Sequence, residues 1–245
     1  MRAILIPLLL AVSALGGVIP SAAQAVPQKL SHAAKLIVVT SADWSAVSGT
    51  LTRYQRKHNK WERVGKPIPI VVGKTGLAWD PTLTVQRDPG NPVKHEGDGK
   101  SPAGVFGIPK TFGFAPSLGT SAMYITLTPT TECVDDTSSR YYTRVVDRLK
   151  VSDVDWNSSE KMRMVPGYQQ GAIVDYNMET PVGGNGSCIF LHIWSGPGQG
   201  TVGCTAMAAE DMEQLSTWIE SKGATALVQL PEKEYTRLKG AWKLP

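Results

Sequence analysis

The sequence predicts a mainly β domain with one or two short helices. Three observations carry that reading. Short runs of β-branched and apolar residues recur along the chain, from Leu36-Ile37-Val38-Val39-Thr40 to Ala172-Ile173-Val174-Asp175-Tyr176. The 24 glycines and 17 prolines fall mainly between those runs, where turns belong. Clear helical periodicity is confined to Ala208 to Lys222.

Taken in order, Leu36 to Thr40 reads as a buried strand. Leu51 to Arg56 alternates and ends in Lys57-His58-Asn59-Lys60, a hairpin turn from which Trp61 to Val64 returns. Ile68 to Val72 is a further strand, as are Met123 to Leu127 and Ala172 to Tyr176. In Cys188-Ile189-Phe190-Leu191-His192-Ile193-Trp194 the alternation sets Cys188, Phe190, His192 and Trp194 on one face, with Ile189, Leu191 and Ile193 turned to the core. The helix at Ala208 to Lys222 presents Met212, Leu215, Trp218 and Ile219 together. Glu210, Asp211 and Glu213 fill its first turns and Gly223 stops it. Ser158 to Met164 is expected to form a second short turn of helix, capped by Ser158 or Ser159.

The N-terminus has the makeup of a leader. Arg2 precedes an uncharged stretch, Ala3 to Ala25, with Ile4 to Val12 as its apolar heart and Ala23-Gln24-Ala25 as an A-x-A cleavage site. Residues 1–25 therefore read as a secretory signal peptide. The apolar run is shorter than the ~20 residues of a membrane span, and Gly16, Gly17 and Pro20 interrupt the remainder of the stretch. No stable membrane insertion is expected after cleavage. The expected location is outside the cytoplasm, in the periplasm or cell envelope. Residues 26–245 carry no repeat, low-complexity tract or linker, and read as one domain. The formal charge of +4 is small and no Lys/Arg-rich run appears, which argues against a nucleic-acid partner.

Export places the three cysteines in oxidising conditions. Cys133–Cys188, Cys133–Cys204 and Cys188–Cys204 are the possible pairs, and each leaves one thiol over. Cys204 is the thiol of chemical interest. It lies in Thr201-Val202-Gly203-Cys204-Thr205, twelve positions after His192, beyond the loop Ser195 to Gly200. A thiol beside an imidazole is the minimum equipment for covalent acyl transfer. Gly203 admits a close ligand, and the N–H groups of Gly203, Cys204 and Thr205 are candidates for an oxyanion hole. A helix starting at Ala208 brings its positive end near Cys204 and favours the thiolate. A carbonyl near His192, such as that of Ile193, is a candidate to orient the imidazole. Zinc bound by His192, Cys188, Cys204 and His95 is disfavoured, because no C-x2-C or H-x3-H pair is present. No metal and no cofactor are expected.

Two further segments merit comment. Gly97-x-Gly99-Lys100-Ser101 looks like a phosphate loop, but Lys94 stands where the motif needs glycine, so it reads as a turn feeding a strand. Glu132 to Tyr142 reads as a surface loop tied by Cys133–Cys188, the pairing that spares Cys204. A sharper reading makes it a substrate pocket, with Asp136 meeting an ammonium and Arg140 a carboxylate. Trp194 and Trp156 are candidates to line the groove.

These residues resemble the L,D-transpeptidase family with the YkuD-type catalytic domain. Leu191-His192-Ile193 and Thr201-Val202-Gly203-Cys204 stand where the family has a strand histidine and [S/T]-H-G-C. Lys100-Ser101-Pro102-Ala103-Gly104-Val105-Phe106 is similar to its (K/R)-(T/S)-P-x-G-x-F block, and Val71 to Gly76 to the preceding strand. The likeness runs from about Leu36 to Leu230. Val202 in place of histidine, and Thr205-Ala206 after the cysteine, mark a divergent branch that includes enzymes that cut rather than join. The resemblance implies a YkuD-like β-sandwich and peptidoglycan peptide stems as partners. It also implies Cys204 as nucleophile, with His192 as acid and base, in L,D-transpeptidation of tetrapeptide stems. The alternatives are L,D-carboxypeptidase or amidohydrolase chemistry at the same site, or a non-catalytic wall-binding module.

Overall fold

A computed structural model describes residues 25–116 and 123–245. The expected signal peptide lies outside the described residues except for Ala25. A short helix, α1 (Gln28–His32), precedes β1 (Lys35–Ser41), β2 (Ser48–Lys57), β3 (Lys60–Val71), β4 (Leu77–Trp79) and β5 (Ser101–Gly107). Then come β6 (Thr111–Gly113), β7 (Tyr124–Thr126), β8 (Thr131–Val134), β9 (Val145–Asp147) and β10 (Ser159–Lys161). Two 3-10 turns, Met162–Met164 and Pro166–Gln169, lead to β11 (Gln170–Ile173), β12 (Phe190–Ile193) and β13 (Thr205–Met207). The chain closes with α2 (Ala209–Glu220), β14 (Thr225–Pro231) and α3 (Glu232–Trp242).

Eleven strands form one sheet in the order β4-β5-β14-β1-β2-β3-β13-β12-β11-β6-β7, and β10-β8-β9 form a second. The architecture is mainly β, as expected, with short helices among the described residues. The strand β1 is buried along most of its length because both neighbours pair with it, β14 in parallel and β2 antiparallel. His58 and Asn59 both take positive φ, 47° and 61°, and make the tight β2–β3 turn. The two strands read separately from Trp61 to Val64 and Ile68 to Val72 are one twelve-residue strand, β3.

Two expectations about helices are corrected. Ser158 to Met164 does not form a helical turn capped by a serine. Its first part pairs as β10 with β8, and only Met162–Met164 winds as 3-10. Two helices outside the expected positions, α1 and α3, complete the described set; α3 is the longer. Its buried residues are Glu234, Leu238 and Trp242, a stripe too sparse and too charged to stand out as a period.

Side chains of the large sheet pack with α2 and α3 in the main core, which contains Leu36, Val39, Met207, Met212, Leu215, Ile219 and Trp242. Ile189 and Leu191 point into this core, and Ile193 packs against it. Phe190 points the other way, into a second cluster with Phe112, Leu127, Cys133, Met162, Tyr168, Ile173 and Cys204. That cluster fills the space between the β12 end of the large sheet and the small sheet. Lys35 closes the C-terminal end of α2: its ammonium donates to the carbonyls of Trp218, Ile219 and Ser221 at 2.9, 2.7 and 2.6 Å.

The small sheet is held by one buried carboxylate. Glu132 accepts from Arg148 at 2.6 and 3.1 Å, from Trp156 at 2.8 Å, from Ser159 at 2.6 Å, and from Lys161. Burial alone would raise its pKa, but these donors outweigh it and hold the carboxyl well below the usual range.

Candidate active site

Cys204 lies one residue before β13, which runs parallel to β12 with Thr205 opposite Leu191 and Ala206 opposite His192. That register sets Cys204 beside Phe190, whose N–H donates to the sulfur at 3.3 Å. His192 follows two residues along the same strand face, a step of about 6.6 Å.

The polypeptide around Cys204 is tied from two sides. Its carbonyl accepts from Thr201 Oγ1 at 2.6 Å and from Ser101 Oγ at 2.8 Å. Ser101 Oγ in turn accepts the N–H of Gly73 at 2.8 Å. A Cβ on Gly73 would meet the Gly99 carbonyl oxygen at 2.3 Å, so only glycine lets these segments approach. The Lys100 to Phe106 block and the Val71 to Gly76 segment thus converge on the cysteine loop.

Cys133 and Cys188 form a disulfide, and Cys204 is a free, buried thiol. The bridge fixes Cys188, whose carbonyl faces the Cys204 sulfur at 3.6 Å. Burial, and then the charge of Glu160, pushes the thiol up to about 12. The Phe190 N–H, the Tyr168 hydroxyl and Lys94 oppose them. Burial lowers the His192 pKa, against its contact with the Ile193 carbonyl, and favours the neutral ring. Nδ1 lies 2.8 Å from the Ile193 carbonyl oxygen. A carbonyl only accepts, so Nδ1 carries the proton and Nε2 the lone pair. Gly167 makes room for this pair: a Cβ there would stand 2.5 Å from the Ile193 oxygen and 3.0 Å from His192 Nδ1.

Two cavities meet at Cys204. One, of about 390 Å³, is lined by Lys94, Glu96, Asp135, Glu160, Ser187 and Gly203. The other, of about 160 Å³, is lined by His192, Trp194, Gln199 and Thr201. Tyr168, Glu160, Val202 and Cys204 border both. Val202 is 75% exposed and stands on the rim. Lys94 is nearly buried, with its charge committed to Asp98 at 2.7 Å.

Several expected residues lie elsewhere or act otherwise. Asp136 lines neither cavity. It accepts from Ser138 and from the Asn157 N–H at 2.8 Å, and these bonds hold its pKa down at about 2. Arg140 lines neither cavity and faces Asp153 and Asp155 at 3.4 and 3.6 Å. Both side chains organise their own loop. Trp194 does border the smaller cavity, whereas Trp156 is buried against Glu132. Gly203 gives its N–H to Thr201 Oγ1 at 3.1 Å, so an oxyanion donor there is already engaged. The Thr205 hydroxyl donates to Gln229 at 2.6 Å, a bond separate from the backbone N–H expected to serve the oxyanion. The start of α2 is not beside Cys204, because β13 intervenes. His95 is exposed, Cys188 is in the disulfide, and no group of three or more His, Cys, Asp or Glu is placed to hold a metal among the described residues.

Glu160 and Tyr168 escaped the sequence reading. They stand 44 and 36 positions before Cys204, and no motif or period links them to it. Glu160 arrives because β10 pairs with β8, opposite Cys133. Tyr168 arrives because the 3-10 turn packs on β12.

The family model for the YkuD L,D-transpeptidase catalytic domain matches residues 42–229, a span that holds both converging segments, His192 and Cys204. The chain belongs to this L,D-transpeptidase family. Among solved structures, the chain is similar to Bdellovibrio bacteriovorus Bd1075, with 13% identity and a TM-score of 0.39. That likeness covers 92% of this chain and 60% of the other, so the chain spans less than two thirds of that structure. No curated protein matches it. None of the L,D-transpeptidase domain's described helices is long and apolar enough to cross a membrane.

Proposed function

We propose that the protein is an exported peptidoglycan L,D-transpeptidase that works on tetrapeptide stems through a thioester on Cys204. The observation that carries the reading is the shared cavity of a free thiol and a neutral imidazole whose Nδ1 is committed to Ile193. His192 Nε2 takes the thiol proton as the sulfur attacks the carbonyl of the L-centre of diaminopimelate. That carbonyl's oxygen gains charge beside the Cys204 N–H. The bond to D-Ala breaks, and His192 returns the proton to the leaving amine. An amine of a second stem then attacks the thioester and gives its proton to His192; the C–S bond breaks, His192 returns the proton to the departing Cys204 sulfur, and the new amide closes a 3→3 cross-link.

The placement of the cavities supports transfer. The larger one offers Glu96, Asp135 and Glu160 to an ammonium on the acyl donor, in the role first read for Asp136. The smaller one holds an acceptor beside the base, under Trp194. Water in place of the amine makes the same site an L,D-carboxypeptidase. Incubation with purified tetrapeptide muropeptides separates the outcomes. Cross-linked dimers with released D-Ala support transfer. Tripeptide with D-Ala and no dimer means hydrolysis. No release of D-Ala sinks both.

A further inference from the structure

Tyr168 and Glu160 stand in the wall that both cavities share with Cys204. The Tyr168 hydroxyl donates to Glu160 Oε2 at 2.9 Å. A phenol has one proton: given to the neighbouring sulfur it would favour the thiolate, but while it is spent on Glu160 the Tyr168 oxygen offers the sulfur only lone pairs. The sulfur has two other polar neighbours: the Phe190 N–H, a donor at 3.3 Å, and the Cys188 carbonyl, an acceptor at 3.6 Å. A thiol suits this set, because its proton has an acceptor to meet. A thiolate does not, since it keeps one donor and faces two acceptors.

We infer that Glu160 is a positioning residue for Cys204 that acts through Tyr168: as a carboxylate it holds the Tyr168 hydroxyl away from the sulfur, and once its charge is offset the hydroxyl turns to donate to the thiolate. The inference rests on the reading of Cys204 as nucleophile. The turn needs no ring movement, only rotation about the phenolic C–O bond. The ring itself is fixed edge-on to Phe112, Phe190 and His192, with centroids 5.6, 5.3 and 5.2 Å away.

The charged and titratable groups around Glu160 fit such a device. Asp135, just after β8, adds like charge. Tyr168 and Cys204 close one side, with His192 beyond Tyr168, and Lys94 and Glu96 face it across the larger cavity. Lys94 is spent on Asp98, so the charge of Glu160 has no committed cation among these neighbours. Burial raises the Glu160 pKa, the Tyr168 hydrogen bond lowers it and Asp135 adds to the rise. A proton, or a cation entering the larger cavity, is the event that frees the hydroxyl. Nucleophile activation is thereby coupled to the arrival of a positively charged donor.

The test reads the thiol directly. Cys204 is the free cysteine, so iodoacetamide modifies it in the disulfide-intact protein, and intact mass gives the rate at each pH. Glu160→Gln is expected to lower the midpoint pH of alkylation by about one pH unit or more. Tyr168→Phe is expected to leave alkylation no slower where Glu160 is a carboxylate, since the hydroxyl is then spent on Glu160, and to shrink the effect of Glu160→Gln to less than half. An equal shift without the hydroxyl means charge alone and overturns the inference, as does no shift. If Glu160→Gln fails to fold by circular dichroism, Tyr168→Phe decides, and alkylation slower than in the native chain where Glu160 is a carboxylate overturns the inference, because the hydroxyl would then already be serving the thiolate. Alkylation needs no turnover. Loss of the transfer reading with this coupling intact is therefore distinguishable from failure of the coupling itself.

Discussion

Ser101 Oγ donates to the carbonyl of Cys204 at 2.8 Å, across 103 positions of sequence. The bond joins the Lys100 to Phe106 block to the cysteine loop. Both ends are buried, and the same hydroxyl satisfies the Gly73 N–H. Ser101→Ala is therefore expected to cost about 1–3 kcal/mol of stability. It should also lower kcat by up to about 100-fold as the loop loses its register. Thermal melting and steady-state kinetics on muropeptides check both.

Gly167→Ala tests the seat of the imidazole. The new methyl must displace the Ile193 carbonyl or the His192 ring. The expected outcome is a large loss of kcat with Cys204 still present as a free thiol by alkylation and mass. Native kcat in this variant would show that the Nδ1 contact does not orient the base.

The readable parts of the fold were those with local signals. β1 announced itself by four apolar residues in a row, the β2–β3 hairpin by His58-Asn59, and α2 by its stripe. The shared face of Phe190 and His192 was legible from alternation, and Cys204 and His192 stood out through rarity. What was not legible depends on distant strands meeting. Glu160 reaches the thiol only through the β10–β8 pairing. Asp136 was singled out over Asp135, but successive side chains near a strand end point apart, and it is Asp135 that reaches the cavity.

The Cys133–Cys188 bridge closes 55 residues of chain. Chain entropy puts its contribution at about 4 kcal/mol. Reduction, or Cys133→Ala with Cys188→Ala, should lower the melting temperature. It should also loosen Cys188, whose carbonyl faces the nucleophile. Calorimetry with and without reductant measures the first effect, and the alkylation rate of Cys204 the second.

Glu132 makes stability acid-sensitive. Its folded pKa is depressed, so its contribution is complete above the unfolded value of about 4.3 and is lost as pH falls below it toward the folded value. Melting temperature should drop steeply below about pH 4. Glu132→Gln should be less stable at neutral pH and show a flatter acid limb. An unchanged acid limb would assign the loss to other carboxylates.

The central claim is that acyl transfer passes through the Cys204 sulfur. Its most direct test is intact-protein mass spectrometry after brief incubation with tetrapeptide muropeptide and an acid quench. The account predicts a mass increase equal to the acyl stem without D-Ala, mapped to Cys204 and absent in Cys204→Ala, which releases no D-Ala. Release of D-Ala by Cys204→Ala at the native rate would contradict it.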